Sequence, residues 1–254
     1  MSSHEEWVAA RNKFWMDPAG FLAVNSMHWL SDQPQNFADV SGLWWAEGLT
    51  VRATGFEGNP EEQTWELKHN GEVTTPMAGG VLEIASRGAG VILRPRLESS
   101  PLFAEFKGIE SFDYDPALKV EATLVPNRED IPVDSIIGDI GTVWESAGTL
   151  NFNLQGHDFA LIGFTRPKPG TLWVIFKDAT SGRETYGTGR HLIATQLDAD
   201  RWQLDFNKAS NFPCAYTDFA TCPLAPRQNV MPIEIRGGET KPGFRRSVDG
   251  VVAQ

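Results

Sequence analysis

Hydrophobic and polar residues follow two different periods along this chain. Near the start, Trp7, Ala10, Phe14 and Trp15 recur at helical spacing. Ser2 with Glu5, and Ser3 with Glu6, stand at the separation of a capping box, in which each side chain satisfies a free backbone N–H of the first turn. Asp17-Pro18 and Gly20 end the pattern. One helix is therefore predicted within residues 1–18, docked through its tryptophan face. From Phe21 onward the period shortens. Leu49 to Thr54 alternates as a half-buried strand does, and Thr64 to Lys68 leads into Asn70-Gly71. Both residues of that pair tolerate positive φ, which predicts a tight hairpin. Val81 to Ala85 and Val91 to Leu97 flank Arg87-Gly88-Ala89-Gly90 and predict a second one.

Further short runs follow at Lys119 to Val125, Thr142 to Glu145, Leu150 to Leu154, Phe159 to Phe164 and Leu172 to Phe176. Thr185 to Thr188, Leu192 to Gln196, Trp202 to Phe206 and Met231 to Ile235 complete the set. Strands spaced about 8–12 residues apart, with turn chemistry between them, mean an antiparallel sandwich or barrel. No helices alternate with the strands, so Rossmann and TIM folds are excluded. The expected organisation is a mainly β protein: a helix over 1–18, then a single β-rich domain over 19–254 ending in a long C-terminal loop. The charged, proline-bearing stretch 126–132 is the candidate subdivision. Gly42-Leu43-Trp44-Trp45 resembles Gly141-Thr142-Val143-Trp144; a duplication or recurrent hairpin chemistry would both explain it.

Composition narrows the partners. With 22 basic and 33 acidic residues in 254, the net charge is −11. Such a balance repels phosphate, arguing against nucleic acids and anionic membranes. No run reaches the roughly 18–20 apolar residues that span a bilayer. The start, Ser2-Ser3-His4-Glu5-Glu6, is polar and acidic, without the pattern of a secretory signal. A cytoplasmic protein with reduced thiols is expected. Nine Trp and fifteen Phe stand against three Tyr.

Three polar constellations could carry chemistry. Arg94 and Arg96, two apart in a strand, share a face. Their guanidiniums suit a carboxylate or phosphate, unless Glu83 or another neighbouring acid already pairs them. In Asp178 to Arg190, Tyr186, Thr188 and Arg190 would share a strand face with glycines between, where a ligand could approach closely. Asp205 and Asn207 end an apolar strand and open the loop Lys208 to Pro232. A loop of that length is a binding element or a packed cover, and its backbone needs partners, for which Asn211, Thr217, Asp218 and Asn229 are available. Cys214 and Cys222, with seven residues between them, read as buried free thiols, a disulfide, a zinc pair or a nucleophile. The last would need His157 or His191 as its base. His28 sits alone between apolar neighbours. There is no Walker loop, GxSxG elbow, HExxH, EF-hand loop or GxGxxG.

The run from Asp205-Phe-Asn through Asn211-Phe-Pro-Cys214-Ala-Tyr-Thr217, Ala220-Thr-Cys-Pro-Leu224 and Asn229 to Gly238-Glu239 resembles the signature of the uncharacterised bacterial and archaeal family DUF1684. Asp178, Thr180, Gly182, Thr185, Tyr186, Gly189 and Arg190 resemble a second family stretch, and Phe21 to Leu30 and Phe106-Lys-Gly108 resemble weaker ones. Phe212, Ala225 and Phe21 depart from the family's usual Pro, Pro and Trp. The resemblance implies no reaction and no cofactor. The functional expectation is a small polar or anionic ligand at one barrel end. Arg94, Arg96 and Arg190 would hold its charge, Tyr186 and Asn207 would orient it, and Asp205, with Tyr186, would supply acid–base or hydrolytic chemistry. A structural or glycan- or protein-binding module displaying Trp44, Trp45 and Trp144 is the alternative. A metal-dependent barrel enzyme is a third reading, although the residues suggest no metal ligands.

Overall fold

The computed structural model describes residues 3–138 and 140–254, and the Ser2–Glu5 pairing lies outside them. Helix α1 (Ser3–Trp15) opens the chain. It docks differently from its apolar pattern. Phe14 is 50% exposed, and Trp15 is the one fully enclosed residue of the face. Two polar contacts fix the helix instead. The Arg11 guanidinium pairs with Glu239, and Asn12 Oδ1 accepts from the Ile109 N–H at 2.8 Å. Phe14 and Trp15 then flank the Arg11 guanidinium, at 4.9 and 5.2 Å.

Eight strands follow: β1 (His28–Trp29), β2 (Gln35–Phe37), β3 (Val40–Glu47), β4 (Thr50–Thr54), β5 (Gln63–Glu66), β6 (Glu72–Met77), β7 (Gly80–Arg87) and β8 (Gly90–Leu97). They form two four-stranded sheets, ordered β1-β8-β7-β6 and β2-β3-β4-β5. Alternate residues of both sheets, among them Trp44, Val51, Leu82, Ile84 and Leu93, make one apolar layer. The Gly88-Ala89 loop joins β7 to β8 with Arg87 opposite Gly90, as the hairpin reading required. Asn70-Gly71 does something else. Its flanking strands β5 and β6 belong to different sheets, so this turn carries the chain from one layer to the other.

After α2 (Leu102–Glu105) come β9 (Lys119–Pro126), β10 (Asp130–Val133), β11 (Thr142–Leu154), β12 (His157–Thr165), β13 (Thr171–Phe176), β14 (Arg190–Gln196) and β15 (Arg201–Asp205). Six of them, β9 and β11 to β15, pair antiparallel in chain order, and β15 returns to β9. The result is a closed barrel. Stretch 126–132 lies within its sheet: Pro126 ends β9, and Asp130 opens β10 against β11. The segments beginning at Gly42 and Gly141 thus enter different architectures, an open sheet and a barrel.

The runs Thr142 to Glu145 and Leu150 to Leu154 are one strand, β11, bent by a bulge between Ser146 and Gly148. Gly148 adopts φ 139°, and a Cβ there would lie 2.2 Å from the Val125 carbonyl oxygen. Two expected strands are absent. Thr185 to Thr188 is a turn between Gly182 (φ 85°) and Gly189 (φ 101°), and Met231 to Ile235 runs irregularly across a barrel end. The same-face row of Tyr186, Thr188 and Arg190 therefore dissolves, because β14 begins only at Arg190.

Barrel strands alternate between inside and outside. Leu150, Phe152, Leu161, Leu172, Val174, Leu192, Trp202 and Leu204 fill the interior. Phe206, Ala209, Met231 and Ile235 join that core at the end where β15 finishes. Between those flanks, the middle of the long segment turns along the outer wall, placing Phe212, Cys214, Ala215, Tyr216 and Cys222 over Ile162, Phe164 and Ile175. It thus closes one end with its flanks and clads a wall with its centre. A terminal hairpin, β16 (Phe244–Ser247) with β17 (Gly250–Ala253), completes the chain. Among the described residues no helix is long and apolar enough to cross a membrane.

The bulge makes a direct prediction. Gly148→Ala forces a methyl group into the β9 backbone and should destabilise the protein by about 2 kcal/mol or more in urea unfolding. A change under about 0.5 kcal/mol would show that the bulge is not constrained as described.

Candidate functional site

The arginines singled out from the sequence are held by acceptors within the chain. Arg94 and Arg96 rise side by side from β8, and Glu83 on β7 takes both. Their Nε–H groups each donate to Glu83 Oε2 at 3.0 Å, and a second nitrogen of each arginine also reaches this carboxylate. Arg87 adds a third cation at 3.2 Å. Arg94 also donates to the Phe219 carbonyl at 3.4 Å, tying this sheet to the long segment. Burial pushes Glu83 up, but the Arg94 and Arg96 guanidiniums outweigh it and hold the carboxyl at about 2.

Arg190, Asp205 and Asn207 gather at the closed barrel end. Arg190 donates to Asp178 Oδ2 at 2.7 Å and to the Ile235 and Glu239 carbonyls at 2.9 and 3.2 Å. Asp205 caps the next turn, accepting from the Asn207 N–H at 3.2 Å. Asn207 in turn clamps Asp115, accepting from its N–H and donating to its carbonyl, both at 2.8 Å. Tyr186 lies beneath the wall-covering segment, where burial raises its phenol above the ordinary value. None of these six residues lines the cleft described next. His28 shares a small cluster with Ser26 and Asp39, at 3.0 and 2.7 Å. Both contacts use Nε2, so the ring cannot relay a proton between them. Trp44 is fully buried against Trp65 and Phe56.

An open cleft of about 530 Å³ lies on the outer wall of the barrel. It is lined by Trp144, Glu145, Phe164, Thr165, Arg166, Pro167, Trp173 and His191. The alternation that sends Leu172, Val174 and Leu192 inward sends Trp173 and His191 outward. The wall cover stops at Phe212, whose ring packs on His191 at 4.6 Å and on Trp173 at 5.7 Å. Beyond it the wall is bare. Trp144 stacks on Trp173, with centroids 4.8 Å apart and planes at 18°, and Phe164 meets Trp144 edge-on at 5.4 Å.

Polar groups in this aromatic setting are few. Trp173 Nε1 and His191 Nδ1 are fully enclosed and have no hydrogen-bond partner. Burial, with the charges of Arg11 and Arg166, pushes His191 down to about 3, so its imidazole is neutral at neutral pH. Exposed Arg166 stands at the mouth and pairs with no carboxylate among the described residues. Glu145 on the same rim faces Arg128 at 3.7 Å. In the sequence Trp144 stands out as a surface platform and His191 as a base for cysteine, whereas Phe164, Arg166 and Trp173 belong to no motif. The available signal was Leu172 to Phe176, an unbroken apolar run, which marks a strand with side chains packed on both faces.

Residues 104–240 match the family described as "Protein of unknown function (DUF1684)". The chain belongs to this family. The match takes in the barrel, the long segment and every residue of the cleft, and leaves out the two N-terminal sheets with Glu83, Arg94 and Arg96. Among solved structures, the DUF1684 chain is similar to the solution NMR structure of an uncharacterised protein from Haloarcula marismortui. That similarity is 33% in sequence, over 54% of this chain and 78% of the other, with a TM-score of 0.47. No curated protein matches this chain.

The buried arginine pair predicts a pH dependence. Glu83 ionises near 4.5 in the unfolded chain and at about 2 in the fold, so its contribution is complete above 4.5 and is lost as pH falls toward 2. Glu83→Gln should cost about 3–5 kcal/mol at neutral pH in urea unfolding, because two buried guanidiniums lose their carboxylate, and should flatten the acid limb. A cost below about 1 kcal/mol with an unchanged acid limb would refute the pairing.

Proposed function

We propose that this DUF1684 protein binds a small molecule with a flat apolar body and an anionic group, in the cleft on the outer barrel wall. The stacked pair Trp144 and Trp173 carries this reading: it is left open beside His191, at the edge of the part of the wall that the long segment clads. The volume of about 530 Å³ suits a small ligand. The aromatic walls of Trp144, Trp173 and Phe164 supply contact area. Arg166 supplies charge that no acid among the described residues pairs with. This site takes over the anion-holding role expected of Arg94, Arg96 and Arg190, whose donors are directed into the protein.

Binding is the reading favoured over acid–base catalysis. A histidine held at about 3 is a poor proton carrier near neutrality, and it serves better as a neutral hydrogen-bonding group. A cytoplasmic setting belongs to the same proposal; the free thiols of Cys214 and Cys222 support it, since a reducing compartment keeps them so.

Calorimetric titration with naphthoate and its neutral amide tests the reading. Naphthoate should bind one to one, about fivefold more tightly than naphthamide, and Arg166→Gln should abolish that preference. Trp144→Ala should weaken both ligands. Affinity should stay level between about pH 5 and 8, where an ordinary histidine would titrate and His191 does not. No binding of either compound, or binding unaffected by Trp144→Ala, would remove the cleft as the site.

A further inference from the structure

The wall-covering segment carries a second constellation, away from the cleft. Cys214 and Cys222 are free, 1% and 6% exposed, and in contact. The Cys214 backbone N–H donates to Cys222 Sγ at 3.3 Å, which sets the two cysteines side by side. The turn at Pro213–Ala215 and the Thr217 hydroxyl, which accepts from the Phe219 N–H at 3.1 Å, fold the intervening residues back to permit this contact. Among the described residues no third His, Cys, Asp or Glu completes a metal-binding group with them.

The two sulfurs have unlike surroundings. Thr188 Oγ1 lies 3.7 Å from Cys214 Sγ. The neighbouring Cys222 side chain lowers the Cys214 thiol against the opposing effect of burial, with Thr188 and the Arg245 charge assisting. Burial raises Cys222 well above its ordinary value, and the contact with Cys214 adds to the rise. Tyr186, with its phenol raised by burial, also feels both sulfurs, and Arg245 lies over its ring at 5.8 Å. One sulfur is thus favoured as thiolate beside a neighbour held as thiol, the arrangement that distinguishes an attacking cysteine from a resolving one.

We propose that Cys214 and Cys222 form a redox site, in which Cys214 attacks a small hydroperoxide and Cys222 resolves the product as an intrachain disulfide. In the first step the Cys214 thiolate attacks one peroxide oxygen. An S–O bond forms, the O–O bond breaks, and the departing oxygen leaves as water or alcohol after taking up the proton lost by the thiol. In the second step Cys222 sulfur displaces hydroxide from the Cys214 sulfenic acid. An S–S bond forms, the S–O bond breaks, and the Cys222 proton leaves with the hydroxide as water. Two thiols are oxidised by two electrons and one peroxide is reduced; a dithiol reductant reverses the disulfide. Burial selects the oxidant. Hydrogen peroxide is close to water in size, and the resolving sulfur is already in place, whereas residues only 1% and 6% exposed disfavour the approach of a bulky disulfide.

The reduced full chain, exposed to hydrogen peroxide, quenched, alkylated under denaturing conditions and mapped by peptide mass, tests this directly. Both thiols should disappear together as a Cys214–Cys222 disulfide that dithiothreitol reverses, while oxidised glutathione leaves both free over the same interval. In Cys222→Ser, dimedone should trap a sulfenic acid at Cys214. In Cys214→Ser, Cys222 should oxidise at least about tenfold more slowly than Cys214 does in the unsubstituted chain. Retention of both thiols, or stable sulfinic acid without a disulfide, would overturn the site. Oxidation of Cys222 at the full rate in Cys214→Ser would overturn the assigned roles, and rapid glutathionylation would overturn the selection by size. The mapping on the unsubstituted chain needs no variant to fold, and none of these readouts depends on the cleft.

Discussion

A closed barrel of six strands has no room inside for anything but its own side chains, and the rest of this molecule follows from that limit. Leu150, Phe152, Val174, Leu192 and Leu204 occupy the interior, and Phe206 and Met231 seal one end. The barrel interior therefore offers no binding site, and the outer wall carries the aromatic cleft. That wall carries Ile162, Phe164, Trp173 and Ile175, too apolar to face water, so the chain must clad it. The cladding is an irregular segment rather than another sheet, and where it stops, after Phe212, the cleft begins.

Irregular backbone is costly to bury unless side chains satisfy it, which explains where the polar residues went. Asn229 shows the device most clearly. Its Oδ1 accepts from the Ile162 N–H at 2.7 Å, and its Nδ2 donates to the Ile162 and Ile175 carbonyls at 3.0 and 2.8 Å. It thereby bridges β12 and β13 where their own ladder has opened. Asn211 accepts no less responsibility: its N–H reaches Glu239 Oε2 at 2.9 Å and its Nδ2 the Thr240 carbonyl at 2.7 Å. Arg190 and Asn207 do the same at the barrel end. These residues draw attention in a sequence because polar groups inside apolar runs look like chemistry, and their work here is to let a loop be buried.

That ambiguity marks the limit of what was legible beforehand. The mainly β antiparallel fold, the N-terminal helix and the Gly88-Ala89 hairpin could be read because each depends on local periodicity or turn preference. The role of Asn70-Gly71 could not, since the same turn chemistry serves a hairpin or a passage between sheets, and only long-range pairing decides. Thr185 to Thr188 alternates like a strand yet lies between two glycines in positive φ. The partners of Arg94 and Arg96 were foreseeable as an alternative, because Glu83 stands on the neighbouring strand. The cleft was least visible. Trp144, Phe164, Trp173 and His191 come from four strands, and their meeting depends on barrel closure and on where a loop ends. Trp173 and His191 also differ from core residues only in lacking a cover, which no local pattern records.

Indole N–H resonances report most directly on the uncovered wall. The chain has nine tryptophans, which give separate side-chain signals in a proton–nitrogen correlation spectrum. Addition of naphthoate should shift the Trp144 and Trp173 signals together and saturably, leaving Trp44 and Trp202, deep in the two cores, where they were. Shifts confined to other tryptophans, or none at saturating ligand, would contradict the cleft and with it the functional reading.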